Sequence, residues 1–342
     1  MNPSDDGSER SLRSDLARLN LIGRSPAFLQ LLGLVERVAA CDASLLIYGE
    51  TGSGKEVVAR AIHYLGSRSS APFIPVNCGA IPDALLENEL FGHARGAYTD
   101  ARESYHGLIA QAHGGTLFLD EIEAMSSRGQ VILLRFLQDH DYRPLGGRLS
   151  CTADLRVIAA SNADLERLAR KGLYRMDLVY RLGVLQIRVP PLRERVDDPA
   201  LLAEEYLRRL SGQYARPPKR LHEETAARLN AFHWPGNVRQ LENFVHRAFL
   251  LVDDAVIRLA PGEIEGMELP PVPDVPSKGL TAARFQEAKA RTIEQFERAY
   301  ITELLERSHG NISLAARIAG KERSRLAKLV KKYGLERQQF LR

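Results

Sequence analysis

The run Gly49-Glu50-Thr51-Gly52-Ser53-Gly54-Lys55-Glu56 follows directly on four apolar or aromatic residues, Leu45, Leu46, Ile47 and Tyr48. Its three glycines let the backbone turn back tightly, so that its N–H groups can close on an anion. A helix starting at the end of the run adds a partial positive charge, and Lys55 adds a point charge that reaches β and γ phosphates. The chemistry is that of a phosphate-binding loop, with all eight residues as candidates for holding a nucleoside triphosphate. Where a Ser or Thr hydroxyl commonly helps hold magnesium, this chain has Glu56, so Mg2+ must lean on other groups. A glycine-rich turn at a strand end could look the same in isolation, and a second element decides between them.

That element is Gly114-Gly115-Thr116-Leu117-Phe118-Leu119-Asp120-Glu121. An apolar run of strand length that ends in two carboxylates reads as a buried parallel strand delivering both to the catalytic edge of a sheet. Asp120 is then placed to orient Mg2+ and its waters, and Glu121 to polarise the water that attacks the γ phosphate. Read alone, an Asp-Glu pair after a strand is more often an ordinary helix start.

These residues need a scaffold, and the chain provides the pattern of one. Strand-like runs at Phe73 to Val76, Thr116 to Leu119 and Leu155 to Ala160 alternate with helical patterns over residues 21–189, which predicts a parallel sheet covered by helices. After Pro190 and Pro191 the pattern turns wholly helical, through Leu201 to Leu210, Glu223 to Phe232 and Val238 to Leu251, giving a small helical subdomain over 190–262. Residues 263–280 are proline-rich and read as a linker. Residues 1–20 form a short polar segment.

The last part, 281–342, reads as helices. Phe285 to Arg307 carries an apolar stripe wide enough to pair with a second copy. Ile312 to Ile318 and Glu322 to Tyr333 are two shorter helices joined by a turn at Ala319 and Gly320, the form of a helix-turn-helix. From His309 onward there are nine Lys and Arg against two Glu, a net of +7 in a chain whose formal total is +4. So strong a local surplus points to double-stranded DNA as partner, with Arg323, Arg325, Lys328, Lys331 and Lys332 on the second helix as contacts.

Composition is that of an ordinary globular protein, with 44% apolar residues, and no run is long and apolar enough for a membrane span. The expected location is cytoplasmic. Three widely spaced cysteines, Cys41, Cys78 and Cys151, match neither a disulfide framework nor metal-ligand spacing and read as buried small hydrophobes.

Together these motifs, in this order, resemble the AAA+ ATPase domain of bacterial enhancer-binding proteins, activators of RNA polymerase carrying σ54, from Leu21 to about Leu251. The tail, with Ala315, Ala316, Gly320, Arg323 and Ser324, resembles the Fis-type DNA-binding domain that accompanies it. The resemblance implies an α/β AAA+ P-loop ATPase with a helical lid, followed by an all-α helix-turn-helix domain, and Glu56 matches what the family usually carries there. The layout most resembles that of the phage-shock-protein activator, which implies control by a separate regulatory protein.

Further roles come from the resemblance alone. Asn77 matches the asparagine that holds the catalytic glutamate, and Ser161 with Asn162 the first sensor of the γ phosphate. Arg175 and Arg181 match arginine fingers that reach the neighbouring subunit's nucleotide, and Arg239 the second sensor on the lid. Fingers acting in trans imply a ring, by resemblance a hexamer, with dimers formed through the C-terminal domain.

The loop that touches σ54 reads Gly-Ala-Phe-Thr-Gly-Ala in most members. Here it is Gly96, Ala97, Tyr98, Thr99, Asp100 and Ala101. Tyr98 keeps the aromatic face, while Asp100 replaces a residue free to adopt positive φ and adds a negative charge. A second loop around Arg143 to Arg148 is expected to support it. The expected activity is ATP-driven remodelling of the σ54 polymerase closed complex from an upstream DNA site. An AAA+ regulator acting with σ70, or as a repressor, is the alternative that the altered loop leaves open. A helicase loader or remodelling chaperone with an incidental basic tail is a third.

Overall fold

The computed structural model describes residues 20–98 and 103–258, together with Leu305, Ser308, Ala315 and Val330. The chain divides into two compact units, residues 1–267 and 268–342. Thr99, Asp100 and Ala101 of the expected σ54 loop lie outside the described residues, as do Arg323, Ser324, Arg325, Lys328, Lys331 and Lys332 of the expected DNA-reading helix. In the second unit Leu305, Ala315 and Val330 are helical and buried, and Ser308 donates to the Leu305 carbonyl.

The first unit opens with α1 (Pro26–Ala39), capped by Ser25, whose hydroxyl accepts from Phe28 N–H. Then come β1 (Leu45–Tyr48), α2 (Lys55–Tyr64), β2 (Phe73–Asn77), α3 (Asp83–Phe91) and a short hairpin of β3 (Gly92–His93) with β4 (Tyr105–His106). After α4 (Leu108–Gln111), β5 (Thr116–Asp120) leads through a 3-10 turn into α5 (Ser127–Asp139), then β6 (Asp141–Tyr142), β7 (Cys151–Thr152) and β8 (Arg156–Ser161). Helices α6 (Leu165–Arg170) and α7 (Met176–Leu182) precede β9 (Leu185–Arg188).

Five strands form one parallel sheet in the order β2-β5-β8-β1-β9. Alternation along the strands divides the core in two. Leu45, Ile47, Phe118, Ile158 and Ala160 meet α1 and α2 on one face, while Leu46, Leu117, Leu119, Val157 and Ala159 meet α3, α5 and α7 on the other. Both faces are covered, which is why these strands read as continuous apolar runs. The chain order reverses beside β1, so the carboxyl edge of that strand is where such a sheet takes its ligand.

Past Pro190 and Pro191 lies the lid: α8 (Asp198–Tyr214), β10 (Arg220–Leu221), α9 (Glu223–Ala231), α10 (Asn237–Leu251) and β11 (Val256–Ile257). The sequence pattern was wholly helical here; the structure adds a two-stranded parallel pair, β10 with β11. Each is only two residues long, too short to leave a period in the sequence. The lid has its own core around Trp234, which is buried, donates Nε1–H to the Leu229 carbonyl at 2.8 Å and packs edge-on to Phe232 and Phe244.

A buried ion pair fastens the lid to the segment that precedes α1. Asp198 accepts from Arg195 Nε at 2.8 Å, Ser25 Oγ at 2.8 Å, and the backbone N–H of Arg24 and Ser25 at 2.7 and 3.0 Å. Arg195 also donates to the Ile22 carbonyl, and its guanidinium lies 4.0 Å from the Phe28 ring centroid. Gly23 sits in the midst of this: a Cβ there would come within 2.7 Å of both Arg195 and Asp198.

All three cysteines are free, and the expectation that they are buried holds only for Cys78. Burial pushes the Cys78 thiol up to about 12, so it is inert as a nucleophile. Cys41 is exposed because it follows the C-terminus of α1, and Cys151 is half-buried in the edge hairpin β6 with β7. Among the described residues no helix is long and apolar enough to cross a membrane.

Candidate active site

β1 sends the chain into the glycine-rich loop, where Gly52 and Gly54 adopt φ of +74° and +99°. Gly54 stands at the N-cap of α2 and has no side chain to occupy the first-turn N–H groups. Ser53 brings a buried hydroxyl into the loop, with no hydrogen-bond partner among the described residues. Lys55 spends its ammonium on the Gly49 and Glu50 carbonyls at 2.7 and 3.2 Å. Burial pulls its pKa below the ordinary lysine value, against the pull of Asp120, Glu123 and Glu121. Open N–H groups, an orphaned hydroxyl and a half-buried cation are the donor set that a triphosphate would satisfy.

β5 is buried from Thr116 to Leu119 and emerges only at Asp120, whose Oδ1 accepts Glu121 N–H at 2.9 Å. Burial raises the Asp120 carboxyl above the usual range; the Glu121 N–H and Lys55 oppose it. Glu121 itself is held in the left-handed region at φ 52°, ψ 44°, an unusual backbone for glutamate. Asn77 is paired in register with Asp120 on the neighbouring strand. Its amide oxygen accepts from Gly79 and Ala80 N–H at 2.8 and 3.1 Å. A Cβ on Gly79 would stand 2.8 Å from Glu121 Oε2 and 3.3 Å from Asn77 Oδ1, so glycine is what lets these two groups converge.

Asn162, just past β8, donates Nδ2 to Thr51 Oγ1 at 3.4 Å. Its N–H meets Glu123 Oε1 at 3.3 Å, and Glu123 Oε2 is buried without a hydrogen-bond partner among the described residues. Glu123 belongs to no motif visible in the sequence, so its place beside Asn162 emerges only from the fold. Glu56 is exposed and paired with Arg60 one turn on.

Across the loop stands the first turn of α10. Arg239 N–H bonds the Gly52 carbonyl at 3.3 Å, and the Arg239 side chain lines one cavity with Gly52, Lys55, Asp120, Leu21 and Ile22. A Cβ on Gly52 would collide with the Gly236 carbonyl at 2.4 Å. Glu50 is absent from this cavity's lining and borders a neighbouring one with Gly49 and Asn162; there Arg193 of the lid grips it with both terminal nitrogens at 2.5 and 2.7 Å. That fork holds the Glu50 carboxyl down to about 2.

Arg175 and Arg181 are absent from the cavity lining of their own chain. Arg175 is exposed and paired with Asp177, while Arg181 donates to the Leu137 and Gln138 carbonyls at the end of α5. Around them the surface carries Leu173, Tyr180 and Val184, each more than 60% exposed.

The loop of Gly96, Ala97 and Tyr98 rises from the β3–β4 stem. Gly92 is required there, since a Cβ would meet the Tyr105 carbonyl at 2.1 Å. Tyr98 is half exposed and its ring lies 5.0 Å from that of His93. The second loop leans on the first: Leu145 exchanges backbone hydrogen bonds with Gly92 and Ala94, and Gly146, at φ +70°, packs against Ala97.

Comparison with known proteins agrees with this geometry. Family models match in chain order: the Sigma-54 interaction domain at 21–188, the AAA+ ATPase lid domain at 193–261, and the Fis-family bacterial regulatory protein at 292–333. The chain is 41% identical over 334 residues to the DNA-binding transcriptional regulator NtrC of Azospirillum brasilense, covering 92% of this chain and 69% of that one. It is 40% identical over 340 residues to the transcriptional regulatory protein GlrR of Escherichia coli K12, covering 98% and 73%. The crystal structure of NtrX from Brucella abortus in complex with ATP superimposes with a TM-score of 0.67 at 35% identity, covering 96% of this chain and 73% of that one. The chain thus belongs to the σ54-dependent transcriptional activators, AAA+ ATPases that bind DNA through a Fis-type helix-turn-helix.

Proposed function

We propose that this chain hydrolyses ATP at a site completed by a neighbouring copy, and uses the energy to remodel the σ54 polymerase closed complex. The observation that carries the shared site is the placement of Arg175 and Arg181 outside their own cavity, on a surface rich in exposed apolar side chains. Such a surface suits a subunit contact, and a guanidinium arriving from it stabilises charge on a transition state that its own chain does not bind. A head-to-tail contact of this kind builds a ring where its rotation closes, and the resemblance implies closure at six subunits.

Within the site, Lys55 and the loop N–H groups hold the phosphates, and Glu121 orients and deprotonates the attacking water. Asp120, the carboxylate that acts most strongly on Lys55 among Asp120, Glu123 and Glu121, suits Mg2+, which is commonly held by one or two carboxylates plus substrate phosphates. Bound there through water, Mg2+ would neutralise charge on the β and γ oxygens. Loss of the γ phosphate is read by Asn162, Asn77 and Glu121 and passed through α3 to the Tyr98 loop. The C-terminal unit, through Arg323, Ser324, Arg325, Lys328, Lys331 and Lys332, binds a duplex site upstream and raises the local concentration of the motor at the promoter. Restraint by a separate regulatory protein belongs to the same proposal.

Subunit mixing tests the shared site. Arg181→Ala has its own water-activating group but offers no finger, and Glu121→Gln offers a finger but no working base. Each alone is expected to be inactive, while an equimolar mixture regains hydrolysis at about a quarter of its interfaces. A mixture as inactive as its components, with rings still formed, would show that the fingers do not act in trans.

A further inference from the structure

A phosphate loop presents N–H groups to its ligand, so the carbonyls of the same peptides face elsewhere and need partners. Here the lid supplies them. Asn237 Nδ2 donates to the Thr51 carbonyl at 3.1 Å, and Arg239 N–H donates to the Gly52 carbonyl at 3.3 Å. Asn237 is fully buried at φ +53°, and its own Oδ1 accepts Leu192 N–H at 2.8 Å, so its amide is fixed in direction. The same Nδ2 reaches Glu50 Oε2 at 3.2 Å, and Arg193 holds both Glu50 oxygens. Glu50 thus ties two lid residues, Arg193 and Asn237, to the outer side of the loop, and Arg239 N–H adds a third contact two residues on, at the Gly52 carbonyl.

We propose that Glu50 is a positioning residue: its carboxylate sets the lid on the outer side of the phosphate loop, and ATP affinity depends on that clasp. Glu50 therefore acts through Arg193 and Asn237, without touching the phosphates. Two consequences follow from the geometry. Polarising the Thr51–Gly52 peptide at its carbonyl end strengthens the Gly52 N–H as an anion donor, while Ser53 N–H is spent on the Glu50 carbonyl at 3.2 Å. Any change in the loop on gaining or losing phosphate is also transmitted to α10 by the shortest path available, three hydrogen-bonded contacts.

The inference rests on ATP occupying the loop, and its sign separates it from the simpler view that Glu50 lines the nucleotide site. A carboxylate facing the phosphates repels them, so neutralising it would tighten ATP binding. A carboxylate that holds the lid does the opposite. Titration of the full-length chain with a non-hydrolysable ATP analogue is the test. Glu50→Gln and Arg193→Ala are each expected to weaken binding about tenfold, the scale of one charge-assisted hydrogen-bonded pair. Glu50→Gln combined with Arg193→Ala is expected to be no weaker than either alone, because both remove one clasp. Hydrogen exchange at the Arg239 N–H should quicken in all three variants, which a local effect at the phosphates would not cause. Tighter or unchanged binding by Glu50→Gln, or additive losses in the double variant, would overturn the inference. Failure of the parent chain to bind the analogue would instead overturn the nucleotide site itself.

Discussion

Glu121→Gln is expected to bind ATP as tightly as the parent chain and to hydrolyse it about 10²–10⁴-fold more slowly, the range for removing a general base. The geometry separates the two effects. In the proposed site phosphate binding falls to the loop and Lys55, whose ammonium bonds the Gly49 and Glu50 carbonyls and not Glu121, and Asp120 keeps its backbone hydrogen bond to residue 121 whatever the side chain. The amide of Gln fills the same volume beside Gly79 and Asn77, so the turn that a larger change would disturb is preserved. Steady-state phosphate release and equilibrium nucleotide titration measure the two quantities separately. A rate within about threefold of the parent would move the water-activating role to another group, with Glu123 the next carboxylate along the chain.

Asp198→Ala is expected to destabilise the lid and its junction by about 3–5 kcal/mol, the cost of leaving a buried charge without its counterion. Arg195 and Asp198 are 4% and 0% exposed, so water cannot take over the lost contacts. Burial pulls the Arg195 guanidinium below its ordinary value and only Asp198 offsets this to any large extent. Three further donors, the N–H of Arg24 and Ser25 and the Ser25 hydroxyl, lose the same acceptor. Trp234 is the single tryptophan of the chain and sits at the centre of the lid core, so its fluorescence in urea reports the transition directly. A loss below about 1 kcal/mol, the level of an exposed pair, would contradict the reading of the Arg195–Asp198 pair as a structural centre.

What the sequence made legible was whatever has a local signature. The phosphate loop and the β5 carboxylates stand out because glycine spacing and an apolar run of strand length are written in consecutive residues. The edge strand Leu185–Arg188 was not legible as such. Only Ile187 of its four residues is fully buried, and its alternation is too brief to separate from the end of α7. Contacts across long separations left no trace: Glu50 and Arg193 are 143 residues apart, and nothing near either marks the other. Glu50 was therefore grouped with its loop neighbours, as though every residue of the loop faced the ligand. The resemblance implies only a finger at Arg181, and nothing in its surroundings in sequence shows that part of its guanidinium holds the last carbonyls of α5, a contact set by how α7 packs on α5. Cys41 read as buried because cysteine usually is, yet the end of α1 leaves it in solvent.

The mechanical reading joins these pieces. In the proposed mechanism three local contacts are candidates for carrying the signal: Asn77 and Glu121 converging on Gly79, the Leu145 strap under Ala97, and the Glu50 clasp on the lid. Each has two ends in different elements, as a device that converts phosphate occupancy into loop position requires.

Transcription from a σ54 promoter carrying an upstream binding site, with purified σ54 polymerase and in parallel with σ70 polymerase, tests the central claim most directly. The expected result is transcript with σ54 polymerase and ATP, none with a non-hydrolysable analogue or with Glu121→Gln, and no stimulation of σ70 polymerase. Stimulation of σ70 polymerase alone, or σ54 activity that appears only after Asp100→Gly, would contradict a σ54-directed motor built on this chain's own loop.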